Sequence, residues 1–286
     1  MNDQDVSVEH ISDAQHPTLQ GDLFVPSRPN GWGALVLAGS SGRLDLHAAR
    51  LLANGGAIAF AQRWFREPGL PSEIRDVPLE LFMAGIDLLE SKGCSRIALL
   101  GRSRGAEAAL LVAVNDRRAH AVFAISPSSV AWAGSGLDGR PSWTLGGKEI
   151  PFVPYDLSFW GELPREGGLV RYRDLYERSL RNDPGVTERA FIQVERMRAK
   201  LILVAGEADA LWPSDTFARA LVQRLRDHGQ ASTLLLHPDA GHRILLPGDT
   251  TPRSQLHAHG GSDRADIELG EAAWRAIVEC MYGAGL

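Results

Sequence analysis

The feature that most constrains this chain is a serine between two glycines, placed where a predicted strand gives way to a predicted helix. Gly101, Ser103 and Gly105 follow the apolar run 96–100 and open an Ala- and Leu-rich segment, residues 105–114. A strand-to-helix turn tight enough to expose the serine leaves no room for side chains beside it, which explains the flanking glycines. The hydroxyl then lies at a helix N-terminus, where backbone N–H groups and the helix dipole favour developing negative charge. In this context the pattern predicts a nucleophile.

Short apolar runs alternate with helical patterns along the chain, which is typical of βαβ units and a mainly parallel sheet. Several runs are apolar throughout, as expected of strands covered by helices on both faces. Strands are predicted over residues 23–25, 34–38, 57–61, 96–100, 121–125, 201–205 and 233–237. Helices are predicted over residues 46–53, 77–91, 105–114, 214–228 and 267–281. We expect one α/β domain, residues 21–286, after an N-terminal extension of residues 1–20.

One long segment, residues 127–189, breaks this alternation. It is rich in Pro, Gly and aromatic residues and lies between two predicted strands. An insertion of this length without its own regular pattern is unusual in a compact domain unless it is functional. We therefore expect a cap-like insertion over the catalytic face. Most of its aromatic side chains would pack the insertion onto the core, and a minority would line an acyl-binding pocket.

A serine nucleophile needs a base and an orienting acid, because serine is a weak nucleophile at neutral pH. After a turn of this kind the partners follow in the order acid, then histidine, on loops after later strands. Asp209 follows the predicted strand 201–205, and His242 follows the predicted strand 233–237. Open α/β sheets place their sites at these strand ends. Glu207 is the alternative acid, and we favour Asp209 for its position.

Other polar residues on these loops have simpler structural explanations. Asp239 is too near the predicted base in sequence to orient it easily, and Asp215 fits the first turn of the following helix. His237, at a strand end, fits a half-buried structural histidine. His257 and His259 lack a third ligand at suitable spacing, so we expect neither a metal site nor a cofactor.

An oxyanion hole needs one backbone N–H from the residue after the nucleophile and one from an early strand-to-helix loop. Arg104 would supply the first. The Gly- and Ser-rich loop of residues 38–43 would supply the second, and Ser40 is the candidate. This loop has neither the Walker lysine pattern nor the dinucleotide fingerprint, so a phosphate cradle is the weaker interpretation.

The composition, with 44% hydrophobic and 23% charged residues, is that of a soluble enzyme. A net charge of −5 gives no basic excess that would favour nucleic acid or an anionic membrane surface. The two cysteines, Cys94 and Cys280, are far apart in sequence. The first twenty residues are polar and contain no apolar core of a signal peptide. No apolar run approaches the length of a bilayer span. We expect a cytoplasmic protein with a small-molecule partner and no nucleic-acid or membrane partner, and a homo-oligomer stays open.

Six segments together are specific for one enzyme family: GDLFVP, LHAARLLANGGAIAFA, GRSRGAEAAL, IPFVPYD, GEADALWPS and HPDAGHRI. They resemble the C-terminal catalytic domain shared by acyl-CoA thioesterases and bile acid-CoA:amino acid N-acyltransferases, in the dienelactone-hydrolase-like part of the α/β-hydrolase superfamily. The similarity runs from Gly21 to the C-terminus. It implies an α/β-hydrolase fold, with a mainly parallel central sheet, helices on both faces and a cap-like insertion. It also implies that Ser103, Asp209 and His242 form the triad.

The sequence departs from the family pattern at two points. Eukaryotic members carry an N-terminal β-sandwich domain, whereas about twenty residues precede the match here, so the chain resembles a stand-alone bacterial type. The residue after the nucleophile is usually lysine, and Arg104 keeps its charge but not its shape. In this family the transferases tend to use cysteine and the hydrolases serine, so Ser103 favours hydrolysis.

The resemblance implies hydrolysis of acyl thioesters, above all acyl-CoA, through an acyl-enzyme intermediate. CoA phosphates need cationic partners. Candidate substrate contacts near the catalytic loops are Arg43, Arg63, Arg66, Arg102 and Trp212. The alternatives are a carboxylesterase or dienelactone-hydrolase-like enzyme on a small ester or lactone, and an acyltransferase. A non-catalytic binding protein of this fold is disfavoured by the intact set of serine, aspartate and histidine.

Overall fold

The computed structural model describes residues 5–12, 18–136 and 138–283. In chain order the strands and helices are β1 (Val6–Ser12), β2 (Gln20–Pro26), β3 (Trp32–Leu37), α1 (Leu46–Asn54), β4 (Ile58–Arg63), β5 (Val77–Pro78), α2 (Leu79–Ser91), β6 (Arg96–Arg102), α3 (Arg104–Asn115), β7 (Ala119–Ile125), β8 (Trp143–Leu145), β9 (Lys148–Glu149), β10 (Arg165–Glu166), β11 (Leu169–Val170), α4 (Arg173–Asn182), α5 (Pro184–Arg189), β12 (Lys200–Gly206), α6 (Ser214–Asp227), β13 (Thr233–His237) and α7 (Asp263–Tyr282). None of the helices in these ranges combines the length and apolar character needed to cross a bilayer.

The described strands form one large sheet in the order β1-β2-β4-β3-β6-β7-β12-β13. β2 is antiparallel to β1 and β4, and every pairing from β4 to β13 is parallel. The prediction of a mainly parallel sheet is confirmed. Because parallel strands end at the same edge, the loops after β3, β6, β12 and β13 lie along one edge of the sheet.

The core has a layer on each face of the sheet, because alternate side chains of a strand point to opposite faces. In β3, for example, Leu35 packs into the layer with α2, α3 and α6, whereas Val36 packs into the layer with α1 and α7. Both side chains are fully buried. This two-sided burial explains the continuous apolar runs that predicted the strands, and the predicted helices on both faces are confirmed.

Every strand and helix predicted from the sequence is present, and the structure adds elements in the N-terminal extension and in the segment of residues 127–189. β1 falls within the predicted extension of residues 1–20 and pairs with β2 along its whole length. Its side chains are mostly exposed, as Val8 illustrates, so β1 carries no apolar run that a sequence pattern could detect. Backbone pairing at the sheet edge holds it in place.

Residues 127–189 contain two helices that the sequence pattern did not predict, α4 and α5, besides short strand pairs. Half of the residues of α4 are charged, and its three apolar side chains, Leu175, Tyr176 and Leu180, form a short stripe that the sequence pattern did not reveal. Three aromatic residues of the segment, Trp132, Tyr155 and Tyr176, pack with residues of the following loop and α6, whereas Trp143 packs into the core layer with α2 and α3. This third core cluster, called here the aromatic cluster, consists of Val130, Trp132, Val153, Ala190, Trp212 and Phe217, with Tyr155, Tyr176, Leu180 and Phe191 packed against it.

Candidate active site

Ser103 occupies a strained turn between β6 and α3. Its backbone angles are φ 54° and ψ −120°, a combination that residues other than glycine rarely adopt and that clusters at functional sites. The neighbouring glycines are sterically required. A Cβ added at Gly105 would lie 2.2 Å from the carbonyl oxygen of Leu37, and one added at Gly101 would lie 2.3 Å from that of Gly105. The glycines thus let α3 begin directly against β3, with Ser103 at the carboxyl edge of the sheet.

His242 and Asp209 form a buried hydrogen-bonded pair on the loops after β13 and β12. His242 Nδ1 lies 2.8 Å from Asp209 Oδ2, and the aspartate is 1% exposed. Asp209 Oδ1 accepts the backbone N–H groups of Leu211 and Trp212 at 2.9 and 3.2 Å. Its Oδ2 also accepts the hydroxyl of Ser214 at 2.6 Å. Together these partners hold the carboxylate of Asp209 in one orientation.

The competing acid, Glu207, lies in a different environment. Its carboxylate pairs with Arg219 at the protein surface, and both side chains are partly exposed. Of the two acids considered from the sequence, the structure brings Asp209 to His242 and directs Glu207 away. Asp215 likewise lies outside the site, 2.9 Å from Arg173.

The end of β7 links the candidate nucleophile to the candidate base. The N–H of Ser103 donates to the carbonyl oxygen of Ile125 at 2.9 Å. The next residue, Ser126, donates its hydroxyl to the carbonyl oxygen of His242 at 3.0 Å. Within the described residues the hydroxyl of Ser103 itself has no hydrogen-bond partner. Bonds between nucleophile and base often tighten only when substrate binds, so this arrangement is compatible with a serine triad.

The loop of residues 38–43 lies directly beside Ser103. A Cβ added at Gly39 would lie 3.1 Å from the Cβ of Ser103 and 3.7 Å from its Oγ. The indole N–H of Trp64 donates to the carbonyl oxygen of Ala38 at 3.3 Å and so fixes the start of the loop. In the part of the chain that the structure describes, the backbone N–H groups of Ser40 and Arg104 donate to no acceptor. Both are therefore free to donate to a substrate oxygen.

Three of the candidate arginines surround this loop. Arg63 donates to the carbonyl oxygen of Gly42 at 2.8 Å and lies 3.4 Å from Glu67. Arg66 reaches the carbonyl oxygen of Ser41 at 3.4 Å. The side chain of Arg43 is exposed and has no partner among the described residues. The loop beside Ser103 therefore has a cationic rim.

Arg102 differs from these three, because its charge is compensated inside the protein. Its Nε lies 2.6 Å from Asp45, and its guanidinium lies 3.7 Å from Asp249. It also donates to the carbonyl oxygen of Ile244. These contacts tie the loop after β13 to the segment before α1, which is a structural role.

Trp212 lies behind the candidate base rather than in an open cleft. It is 1% exposed, and its ring centroid lies 5.9 Å from that of His242 in an edge-to-face arrangement. Tyr176 and Phe217 pack on it at 5.5 and 5.8 Å. The aromatic cluster therefore supports the imidazole of His242.

His257 and His259, for which the sequence predicted no metal-binding role, lie next to His242. The rings of His257, His259 and His242 follow one another with centroids 5.3 and 5.9 Å apart. Burial lowers the pKa of His259 to about 3 and also lowers that of His257, and the nearby His242 adds to both shifts. The carbonyl oxygen of His259 accepts the N–H groups of His242 and Ala210 at 2.8 and 3.2 Å. His259 therefore joins the base loop to the acid loop, a contact that its spacing in sequence does not reveal.

No group of three or more His, Cys, Asp or Glu residues within the described ranges is arranged to hold a metal ion. The candidate site contains a serine in a strained turn, a buried His–Asp pair and two unpaired backbone N–H groups. Such a set can support acyl transfer through a serine ester.

Comparison with curated proteins points to a single family. The family model described as BAAT / Acyl-CoA thioester hydrolase C terminal matches residues 77–281. Human acyl-coenzyme A thioesterase 1 is 28% identical over 274 residues, which cover 91% of this chain and 62% of that protein. Human mitochondrial acyl-coenzyme A thioesterase 2 is also 28% identical, with 91% of this chain and 54% of that protein covered. The chain therefore spans little more than half the length of these relatives.

Comparison with solved structures identifies the fold. A putative dienelactone hydrolase from Klebsiella pneumoniae superposes with a TM-score of 0.59 at 17% identity, covering 96% of this chain and 97% of that one. An esterase from Pyrococcus furiosus gives a TM-score of 0.54 at 12% identity, with 96% and 89% covered. The predicted α/β-hydrolase fold is confirmed. With the family match over most of its length, the chain belongs to the family of BAAT and acyl-CoA thioester hydrolase C-terminal domains.

Proposed function

We propose that this protein hydrolyses acyl thioesters, with acyl-CoA as the substrate class, through an acyl-enzyme on Ser103. The observation that carries the proposal is the buried contact between His242 and Asp209 at the sheet edge where Ser103 lies. Family membership supports a thioester as the bond that is cleaved. The triad itself supports acyl transfer and does not distinguish acyl groups.

Acylation begins when Ser103 Oγ attacks the thioester carbonyl and His242 Nε2 takes the hydroxyl proton. The tetrahedral oxyanion accepts the backbone N–H groups of Ser40 and Arg104. The imidazolium then transfers its proton to the sulfur as the C–S bond breaks, so CoA leaves as the free thiol. Asp209 accepts the Nδ1 proton of His242 in a hydrogen bond throughout and stabilises the imidazolium without being protonated itself.

Deacylation repeats these steps with water as the nucleophile. His242 removes a proton from water as the oxygen attacks the acyl carbon of the Ser103 ester. When the intermediate collapses, His242 returns that proton to Ser103 Oγ and the acyl group leaves as a carboxylic acid. The serine ester is an oxygen ester that activated water can cleave, so the nucleophile type favours hydrolysis over transfer to an amine.

The cationic rim supplies candidate partners for the CoA phosphates. Arg43 is the strongest candidate because its guanidinium is exposed and unpaired within the described residues. The guanidinium of Arg66 lies over the ring of Phe65 and makes one long hydrogen bond, to the carbonyl oxygen of Ser41. Arg63 is more firmly bound to the loop. We leave Arg102 out because two carboxylates neutralise it, and we assign Trp212 to packing behind His242.

The proposal is tested by a hydrolysis screen across acyl-CoA chain lengths, with thiol release as the readout. p-Nitrophenyl esters of matching chain length serve as the oxygen-ester comparison, and Ser103→Ala as the control for the site. We expect thiol release from at least part of the acyl-CoA series and none from Ser103→Ala. Activity on esters without thiol release from any acyl-CoA would instead support a carboxylesterase, and transfer of the acyl group to an added amine would support an acyltransferase.

A further inference from the structure

The helix after the candidate nucleophile carries a buried ion pair in its first turn. Arg104 Nη1 lies 2.7 Å from Glu107 Oε2, and the two residues are 5% and 0% exposed. The residues that follow in α3 are almost all Ala, Leu and Val. Desolvating two charges is costly, and well-packed apolar residues in the place of a buried pair often serve stability equally well. Stability alone therefore does not account for a charged pair at this position.

The carboxylate of Glu107 holds the beginning of the 127–189 segment. Its Oε1 accepts the backbone N–H of Trp132 at 2.9 Å and the indole N–H of Trp143 at 2.6 Å. Burial raises the pKa of the Glu107 carboxyl, and the guanidinium of Arg104 opposes that rise. Since every hydrogen-bond partner of this carboxyl is a donor, the ionised form is the one the site accommodates.

The guanidinium of Arg104 binds the same part of the segment. It donates to the carbonyl oxygen of Ala133 at 2.8 Å and to the hydroxyl of Ser142, and it lies 5.9 Å from the ring centroid of Trp143. Ser142 in turn donates to the carbonyl oxygen of Ala133 at 2.9 Å. Tyr155, further along the segment, donates to that same oxygen at 3.2 Å. Thus both charges of the pair are satisfied by residues of the insertion.

The aromatic cluster continues this network to the base. Trp132 packs edge-to-face on Tyr176 with centroids 4.7 Å apart. Tyr176 packs on Trp212 at 5.5 Å, and Trp212 packs on His242 at 5.9 Å. One continuous set of contacts therefore runs from the residue after Ser103, through the insertion, to the imidazole.

Arg104 has two parts with different tasks in this arrangement. Its backbone N–H is the donor assigned above to the oxyanion, and its side chain is fixed by Glu107 and the insertion. Oxyanion stabilisation depends steeply on donor placement, because a displacement of about 1 Å can reduce a rate by about 100-fold. Anchoring the Arg104 side chain limits the freedom of the backbone N–H of the same residue.

We propose that Arg104 and Glu107 are positioning residues that fix the oxyanion donor and the insertion relative to each other, and so favour the transition state rather than substrate binding. This inference rests on the Ser103-dependent hydrolysis proposed above. It assigns the ion pair a part in the rate of acylation and predicts little effect on the affinity for the thioester itself.

The test uses the double variant Arg104→Met/Glu107→Leu, which replaces both charges by apolar side chains of similar length and avoids leaving one buried charge alone. We expect kcat per active site, counted by fluorophosphonate titration, to fall by about tenfold to 100-fold while KM changes less than about threefold. Affinity for an acyl trifluoromethyl ketone, whose adduct places an oxyanion in the hole, should fall in parallel with kcat. Affinity for a non-hydrolysable acyl-CoA thioether should not change.

The matched control is the ion pair between Arg224 and Glu195, which is bidentate and lies far along α6 from the site. The double variant Arg224→Met/Glu195→Leu should keep the wild-type kcat. Arg104→Lys keeps the charge facing Glu107 but not the guanidinium geometry, so its kcat should lie between those of the wild type and the apolar double variant. If the double variant fails to fold, the trifluoromethyl ketone affinity of Arg104→Lys decides in its place.

Wild-type kcat per titrated site and unchanged ketone affinity in the double variant would overturn the inference, even if its melting temperature fell. Failure of the proposed function is recognised separately, because it would remove thiol release from the wild type. In that case the rate at which a fluorophosphonate labels Ser103 replaces kcat, since the phosphonyl oxygen enters the same oxyanion hole. Equal labelling rates in the wild type and the double variant would again overturn the inference.

Discussion

His242 Nδ1 and Asp209 Oδ2 lie 2.8 Å apart, with the aspartate side chain fully buried, whereas Glu207, two residues earlier on the same loop, pairs with Arg219 at the surface. The two acids are chemically similar and adjacent in sequence, and their surroundings separate them. Asp209 is held by three further donors from the turn that begins α6. This difference makes a direct comparison of the two acids informative.

Asp209→Asn should lower kcat by about 10³- to 10⁴-fold, because a neutral amide stabilises the imidazolium poorly and its NH2 group can donate to Nδ1 and so favour the wrong tautomer of His242. Steady-state thiol release, with circular dichroism to verify folding, measures the effect. Glu207→Gln is the matched control and should keep kcat within about twofold. A larger loss in Glu207→Gln than in Asp209→Asn would reassign the acid.

Gly105→Ala should lower the free energy of unfolding by about 2–4 kcal/mol, because the new methyl group would overlap the carbonyl oxygens of Leu37 and Ala38. Urea denaturation measures the change. Gly161→Ala is the control, since a Cβ there meets no atom within 4 Å, and its stability should change by less than about 0.5 kcal/mol. Equal effects at the two positions would contradict the close approach of α3 to β3.

His259→Gln should make folding stability less sensitive to acid. In the folded protein burial lowers the pKa of His259 to about 3, against about 6.5 for an unfolded chain. Between these values the unfolded state binds a proton that the folded state does not, so stability falls as pH decreases through that window. The loss of unfolding free energy between pH 7.5 and pH 4.5 should be smaller in the variant by about 1–2 kcal/mol. Denaturant curves at both pH values measure this difference. If His259→Gln lost as much unfolding free energy as the wild type, or more, the imidazole of His259 would have to ionise in the folded state.

Arg43→Gln combined with Arg66→Gln should raise KM for acyl-CoA by about tenfold, because each guanidinium is a candidate partner of a CoA phosphate. The same variant should show wild-type kinetics with an acyl-pantetheine thioester, which lacks those phosphates. Arg117→Gln, at an exposed position between α3 and β7, is the control for general loss of positive charge. Equal changes with both substrates would exclude a phosphate contact at the loop beside Ser103.

The parts of the fold that sequence could predict are those encoded locally. β3 is buried along its whole length and β6 over its central residues, and both appear as continuous apolar runs because both of their faces are covered. Ser103 is recognisable because the turn demands glycines at fixed positions on either side. Asp209 and His242 follow from the order of strands, since each comes just after a strand that ends at the same sheet edge.

The parts that sequence could not predict depend on contacts between distant residues. Glu107 looks like an ordinary acid in the first turn of a helix, and its partners Trp132 and Trp143 lie 25 and 36 residues away. His259 reaches His242 only through the fold of the loop before α7. Half of the residues of α4 are charged, so the short apolar stripe of Leu175, Tyr176 and Leu180 does not stand out in the sequence, although these side chains pack inward.

Rapid-quench mass spectrometry with an acyl-CoA substrate tests most directly whether hydrolysis passes through an acyl ester on Ser103. We expect an acyl mass increment on the peptide containing Ser103, formed at least as fast as kcat and absent from Ser103→Ala. Sustained thiol release by Ser103→Ala, or wild-type turnover in which that peptide is never acylated, would contradict it.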